Sequence, residues 1–272
     1  MQATATLHAV DSSRRIHGVE MDDRNAPSTV DAAPCSTCPM HGLCLPASLG
    51  AQEVRQFAEL IRPHRSVKRH QHLYHAGSPF RSLYAIRAGS LKSSLVDDGG
   101  REQVTGFHMA GELVGMDALE AERHLCNAVA LEDTSVCEIP FAGLNRLADE
   151  MPALRRSLHR AMGREIARDY HAMLVLGSMR AEERVAAFLL GISKRFAARG
   201  YSAFQFNLRM TREEIASYLG LKFETVSRAL SQFQEDRLIA VNNKAVEIRD
   251  HNRLQQVVCN DGEAWTGKLK SA

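Results

Sequence analysis

"TREEIASYLGLKFETVSRALSQFQED", residues 211–236, reads as two helices joined by a tight turn. Thr211 can cap the first helix, and Glu214 three residues on completes a capping box. Ala216 is small where two helices would cross, Gly220 falls at the turn, and Val226 packs the second helix back on the first. This is helix-turn-helix spacing. The same pattern also suits an ordinary helical hairpin. "LIAVNNKAVEIRD" (238–250) favours the first reading, because it adds two short β runs around Asn242–Asn243, a hairpin wing.

In a helix-turn-helix the start of the second helix meets base edges in the major groove. The polar residues there are Glu224, Thr225, Ser227 and Arg228. Glu224 and Arg228 are four apart and share a face. Arginine can donate two bonds to guanine, and glutamate can accept from cytosine N4. The competing reading is a surface ion pair worth a few tenths of a kcal/mol. Charge agrees with a nucleic-acid partner: residues 151–240 hold 15 Lys and Arg against 9 Asp and Glu, although the whole chain carries only +2.

Upstream, residues 152–182 read as one long helix of roughly 45 Å. Pro152 suits its first turn. Leu154, Leu158, Met162, Ile166, Met173 and Leu176 recur at threes and fours along one stripe. The stripe either packs on the chain's own domain or pairs two copies. Asp169 lies on it, and an unpaired carboxylate is costly to bury. Facing its own copy across a two-fold axis, it would weaken a dimer by repulsion. From about 65 to 141, short β-type runs alternate with Gly106, Gly111, Gly115 and Pro140, and "DDGG" (97–100) reads as a hairpin turn. That texture predicts an antiparallel roll or barrel.

The remaining feature is "PCSTCPMHGLC" (34–44), with three cysteines in ten positions. The chain has six cysteines, 44% hydrophobic residues and no apolar run near the roughly 20 residues a bilayer span needs. No signal-peptide core opens it, so a cytoplasmic setting is expected, where cysteines serve as metal ligands or reactive thiols more often than as disulfides. Zinc suits four thiolates, and a redox pair at Cys35/Cys38 is the weaker choice because no βαβ pattern surrounds it. No nucleophile–base set or phosphate loop points to an enzyme. The resulting layout is α+β: flexible arm 1–33, cysteine-rich segment 34–50, β-roll 51–150, helix 151–182, winged helix-turn-helix 183–255 and tail 256–272.

That layout resembles the CRP/FNR transcription regulators, and its FNR branch in particular, over residues 35–255. The carriers are "SLYAIRAGSLKS" (82–93), "EQVTGFHMAGELVG" (102–115), "SVCEIPF" (135–141), "AEERVAAFL" (181–189), "KRFAARG" (194–200), "MTREEIASYLGL" (210–221) and "ETVSRALSQFQ" (224–234). FNR proteins sense oxygen through a [4Fe-4S] cluster that supports dimerisation and DNA binding and is lost to oxygen. The resemblance implies Cys35, Cys38 and Cys44, spaced C-x2-C-x5-C, with Cys137 as the distant fourth ligand. Cys126 competes for that fourth place, and Cys259 is spare. The resemblance further implies Glu224, Ser227 and Arg228 as readers of a TTGAT-like half-site, and Ile166 and Asp169 as dimer-helix positions. It implies a homodimer on double-stranded DNA, and an RNA polymerase contact near the 97–101 turn.

Three departures stand out. Lys222 replaces the usual threonine before the second helix, Phe223 replaces a small β-branched residue, and Arg101 sits where an acid is common. The CRP branch binds cyclic AMP in the same roll through an Arg-Ser/Thr-Ala stretch. Here His124, Leu125 and Cys126 align with it, and leucine has no hydroxyl to donate, so no cyclic nucleotide is expected. The histidines of "HRSVKRHQHLYH" (64–75) could supply a haem ligand, but they read better as solvated strand and loop residues.

Overall fold

Period-two burial pairs the short β runs into two antiparallel four-stranded sheets that enclose an apolar interior. The computed structural model describes residues 35–259; the expected arm at 1–33 and the tail beyond 259 lie outside them. One sheet joins β1 (Arg65–Val67), β8 (Thr134–Pro140), β3 (Ser82–Ala88) and β6 (Leu113–Val114). The other joins β2 (His72–Tyr74), β7 (Asn127–Ala130), β4 (Ser90–Val96) and β5 (Glu102–Met109). Leu73, Ile86, Leu91 and Val136 fill the space between them. The 97–101 turn is held by Asp97, whose carboxylate accepts from the Arg101 backbone at 2.9 Å and from its Nε at 2.7 Å.

Helices α1 (Ala51–Leu60) and α2 (Phe141–Glu150) flank the roll, and α3 (Pro152–Ser178) follows with Pro152 in its first turn. The expected single stripe on α3 divides in two. Leu154, Leu158 and Ala161 are buried in the chain's own core with Leu45, Phe57 and Ile139. Ile166, Tyr170, Met173 and Leu176 are exposed. Packing on the chain's own domain therefore accounts for the first half of the helix, and the second half is left exposed.

The winged unit begins with α4 (Ala181–Ala197). It continues through β9 (Gln205–Asn207), α5 (Arg212–Leu219), α6 (Phe223–Glu235), β10 (Ile239–Asn242), β11 (Ala245–Ile248) and α7 (His251–Val258). The capping box forms as read: the Thr211 N–H donates to Glu214 Oε2 at 2.7 Å, and the Glu214 N–H to Thr211 Oγ1 at 3.1 Å. Gly220 ends α5 with φ 60°, a left-handed conformation that glycine adopts at little cost. The wing turn sits one residue later than expected, at Asn243–Lys244, because Asn242 pairs with Ala245 and Asn243 takes φ 56°. A third wing strand, β9, was not apparent in the sequence and pairs with β11.

The roll and the winged unit share a core in which Val104 and Phe107 of β5 join Phe188 and Ile215. Polar links reinforce it. The Val104 N–H donates to Ser217 Oγ at 2.9 Å, and Lys92 Nζ bridges Glu102 and Glu214. Between β5 and β6, the buried Glu112 faces guanidiniums from Arg168, Arg195 and Arg199. Burial pushes its carboxyl up, but Arg195, Arg168 and Arg199 outweigh that and bring it down to about 2.

Because this native pKa lies below the ordinary value of 4.5, the unfolded chain takes up the proton first on acidification. The stabilisation is complete above about 4.5 and is lost as pH falls toward about 2. Urea unfolding followed across that window is expected to show falling stability in the wild type and a shallower fall in Glu112→Gln.

Candidate functional site

Strand alternation aims Cys137 at the N-terminal cysteines. On β8, Val136 faces the roll interior, while Cys137 and Ile139 face the opposite side beside Ala85 and Leu83 of β3. The segment before α1 folds over that side in three 3-10 turns, Cys35–Thr37, His41–Leu43 and Leu45–Ser48. Cys35, Cys44 and Cys137 pack against one core. Leu45 is 2% exposed within it, and Ser48 Oγ lies 2.6 Å from Ser157 Oγ of α3. The cysteine segment is thus fastened to the first half of the long helix.

The four thiols act on one another. Burial pushes Cys44 up to about 12, with Cys137, Cys35 and Cys38 adding to the rise. Burial likewise pushes Cys137 up to about 11, with Cys35 and Cys38 adding and Arg87 opposing. Cys35 is raised by burial and by Cys38. All must shed their protons to serve as ligands. Among the described residues, no three His, Cys, Asp or Glu side chains close on a single point as ligands of one ion. His64 departs from the solvated-histidine reading, since its Nδ1 lies 3.3 Å from the Cys137 sulfur. No local periodicity in the sequence signals that approach.

Cys126 keeps other company. It is buried, with its sulfur 3.8 Å from Thr105 Oγ1 and with Asp117 and Asp169 nearby. Cys259 caps α7 in the winged unit. Cys126 lines a cavity of about 680 Å³ between the roll and α3. At its edge, Asp117 Oδ2 accepts the backbone N–H groups of Leu125 at 2.9 Å and Cys126 at 3.0 Å. His124 is turned inward, 3% exposed and stacked on Tyr74 at 3.7 Å. The stretch aligned with a phosphate-binding sequence therefore already holds a carboxylate on its amides.

On α6, Phe223, Glu224 and Arg228 are exposed and Ser227 is half-buried, with Arg212 Nη1 3.5 Å from its Oγ. Among the described residues no ion pair joins Glu224 to Arg228. Behind this face Val226, Ala229, Leu230 and Phe233 are buried in the winged unit's core. Arg184 fixes the approach of α5 by donating to the carbonyls of Leu176 at 2.7 Å, Met179 at 2.9 Å and Leu219 at 3.0 Å. On α3, Ile166 and Asp169 stand on the exposed half, beside Tyr170 and Met173.

A roll carrying a winged helix-turn-helix with an open recognition face defines a DNA-binding regulator rather than an enzyme. The family model for the Crp-like helix-turn-helix domain matches residues 183–257, and that for the cyclic nucleotide-binding domain matches residues 64–151. The chain is 48% identical over 222 residues to the transcriptional activator protein Anr of Pseudomonas protegens, covering 82% of this chain and 91% of that one. It is 44% identical over 223 residues to the fumarate and nitrate reduction regulatory protein of Escherichia coli K12, covering 82% and 89%. The solved structure of FixK2 from Bradyrhizobium japonicum superposes with a TM-score of 0.67 at 30% identity, covering 72% of this chain and 96% of that one. The chain belongs to the CRP/FNR family of transcription regulators, in its FNR/Anr type. Among the described residues no helix is long and apolar enough to cross a membrane.

The recognition helix lacks one ordinary device. Its N-cap, Lys222, makes no side-chain cap hydrogen bond. Replacing it by a residue with a capping hydroxyl, Lys222→Thr, is expected to raise the unfolding free energy by about 1 kcal/mol, and Thr211→Ala on α5 to lower it by a similar amount. Denaturant melts of the two variants check both signs.

Proposed function

We propose that the chain is an oxygen-responsive transcription regulator of the cytoplasm that holds a [4Fe-4S] cluster on Cys35, Cys38, Cys44 and Cys137. The observation that carries the reading is the packing of Cys35, Cys44 and Cys137 on one core, with Cys38 in the turn that starts at Cys35, β8 supplying the distant thiol and Cys126 placed elsewhere. Four thiolates are the usual ligand set of such a cluster and also suit tetrahedral zinc, so metal content separates the two. When bound, the cluster supplies an oxygen-labile iron–sulfur core.

The protein's own residues do the rest. Ligation by Cys38 and Cys44 orders the turns between them. Leu45 and the Ser48–Ser157 contact pass that order to α3. The exposed half of α3, with Ile166, Tyr170 and Met173, then pairs with a second copy despite Asp169. A homodimer places two α6 helices about one DNA turn, roughly 34 Å, apart on a palindromic, TTGAT-like duplex. Glu224, Ser227 and Arg228 read base edges, and Phe223 is available to a thymine methyl. Leu95 and Val96, exposed beside the 97–101 turn, offer a contact for RNA polymerase. Cyclic nucleotide is not a ligand in this reading: the Asp117 carboxylate holds the amides a phosphate would need and would repel it.

Purification without oxygen, followed by iron analysis, absorption spectra and DNA binding before and after air, tests the proposal. A brown protein with about four iron per chain is expected, bleaching in air with loss of DNA affinity. Cys137→Ser should lose that iron and Cys126→Ser keep it. Colourless protein holding zinc, with air-insensitive DNA binding, would replace the oxygen switch by a structural metal. Activity that follows a disulfide instead of iron would point to thiol control. Asp169→Ala should tighten the dimer by about tenfold or more, as relief of a like-charge contact predicts, and bind DNA in air. A monomeric variant in sedimentation would count against this role for Asp169.

A further inference from the structure

We infer that Glu112 is the positioning residue through which an ordered cysteine segment fixes the winged helix-turn-helix for DNA; the inference rests on the functional reading above. Glu112 stands at the turn between β5 and β6, and each side of that turn meets a different part of the molecule.

On one side lies the cysteine segment. Gly111 has φ 87°, and a Cβ placed on it would come 2.8 Å from Leu43 Cβ. Leu43 directly precedes Cys44 and lies between two of the proposed ligands. The turn and the cysteine segment are therefore in backbone-close contact, with no side chain to cushion a shift. Fixing Cys38 and Cys44 fixes Leu43, and Leu43 bears on Gly111.

On the other side lie two helices. Glu112 Oε2 accepts from Arg168 Nη1 of α3 at 3.1 Å and from Arg195 Nη2 at 2.7 Å. Glu112 Oε1 accepts from Arg195 Nε at 3.2 Å and from Arg199 Nη2 at 2.6 Å. Arg195 and Arg199 follow from the last turn of α4, and each also donates to a β5–β6 carbonyl, Phe107 at 2.6 Å and Ala110 at 2.8 Å. Arg168 is shared with Glu165 of its own helix.

Three guanidiniums meet one carboxylate here, and the balance depends on where that carboxylate is. Withdrawn, it leaves like charges facing one another, with Arg199 only 5% exposed. The cluster of charges is therefore closed when the 111–112 turn is seated and repulsive when it is not. Helix α4 shares its core with α5 and α6 through Phe188, Leu189, Ile215 and Val226, so holding α4 holds the recognition helix. In this seated arrangement Glu224 and Arg228 face outward, free for DNA.

A merely structural Glu112 would weaken DNA binding alike with and without the cluster. A positioning residue would abolish the difference. The test measures affinity for a labelled duplex carrying an inverted TTGAT repeat, using full-length protein, first anaerobic and iron-loaded, then after cluster loss in air. Iron content and dimer mass are measured alongside. Wild type should change affinity by about tenfold or more between the two states. Glu112→Gln should keep its iron and dimer mass, yet bind when loaded about as weakly as wild type without cluster. Glu112→Asp, which keeps the charge, should recover part of the difference.

A Glu112→Gln protein with the wild-type ratio, or one that loses iron or the dimer, overturns the inference. Equal affinity in both states of the wild type would remove the functional reading itself and this inference with it. Should Glu112→Gln fail to fold by circular dichroism, Arg168→Gln is judged by the same ratio, because its helix remains anchored by Leu154 and Leu158.

Discussion

The burial of Leu45 with Leu154 and Leu158 is the contact on which the rest of the arrangement depends. Fully buried leucines contribute on the order of 2 kcal/mol each. Here they do more than stabilise, because they join a short irregular segment to a long regular helix. Three 3-10 turns have little structure of their own to defend. Their position is set by what they pack on. The first half of α3 is accordingly committed to its own roll, and only the second half is left for a partner.

The division of α3 explains how one sequence stripe supports two readings. Periodicity gives which residues share a face, and it does not say what lies opposite. Leu154 and Ile166 obey the same spacing, yet one is buried against the roll and the other is exposed. Nothing local distinguishes them. The difference comes from tertiary packing: the first half meets Leu45 of the cysteine segment, Leu144 of α2 and Ile139 of β8 in one core. Asp169 is a clearer signal, since a carboxylate among apolar residues is unsuited to a permanent core and tolerable at an interface that forms and dissolves.

Legibility followed the range of the interactions. The capping box at Thr211 and Glu214, the left-handed Gly220 and the missing cap at Lys222 are local, and each was readable in the sequence. The roll was readable as a class of fold but not as an order of strands, because pairing β1 with β8 and β4 with β7 joins runs far apart in the chain. Cys137 needed a family resemblance, since one cysteine in a strand carries no spacing. Its orientation toward the cysteine segment then follows from strand alternation alone. Glu112 with its three arginines and His64 beside Cys137 were not readable: charged residues 50 to 90 positions apart carry no mutual pattern, and only the tertiary fold brings them together.

The two faces of the β1–β8–β3–β6 sheet carry different chemistry. In a cyclic-nucleotide regulator the ligand sits inside the roll against the long helix. In this chain a cavity lies between the roll and α3, Asp117 holds the Leu125 and Cys126 amides at its edge, and His124 is stacked inward on Tyr74. On the outer face of the same sheet, Cys137 sits beside a cysteine segment that bears on α3. The outer face reaches the core of α3 through Cys137 and Ile139 of β8, whereas the cavity meets α3 through β4 and β5. Moving a signal from one face to the other thus needs new side chains and no new fold.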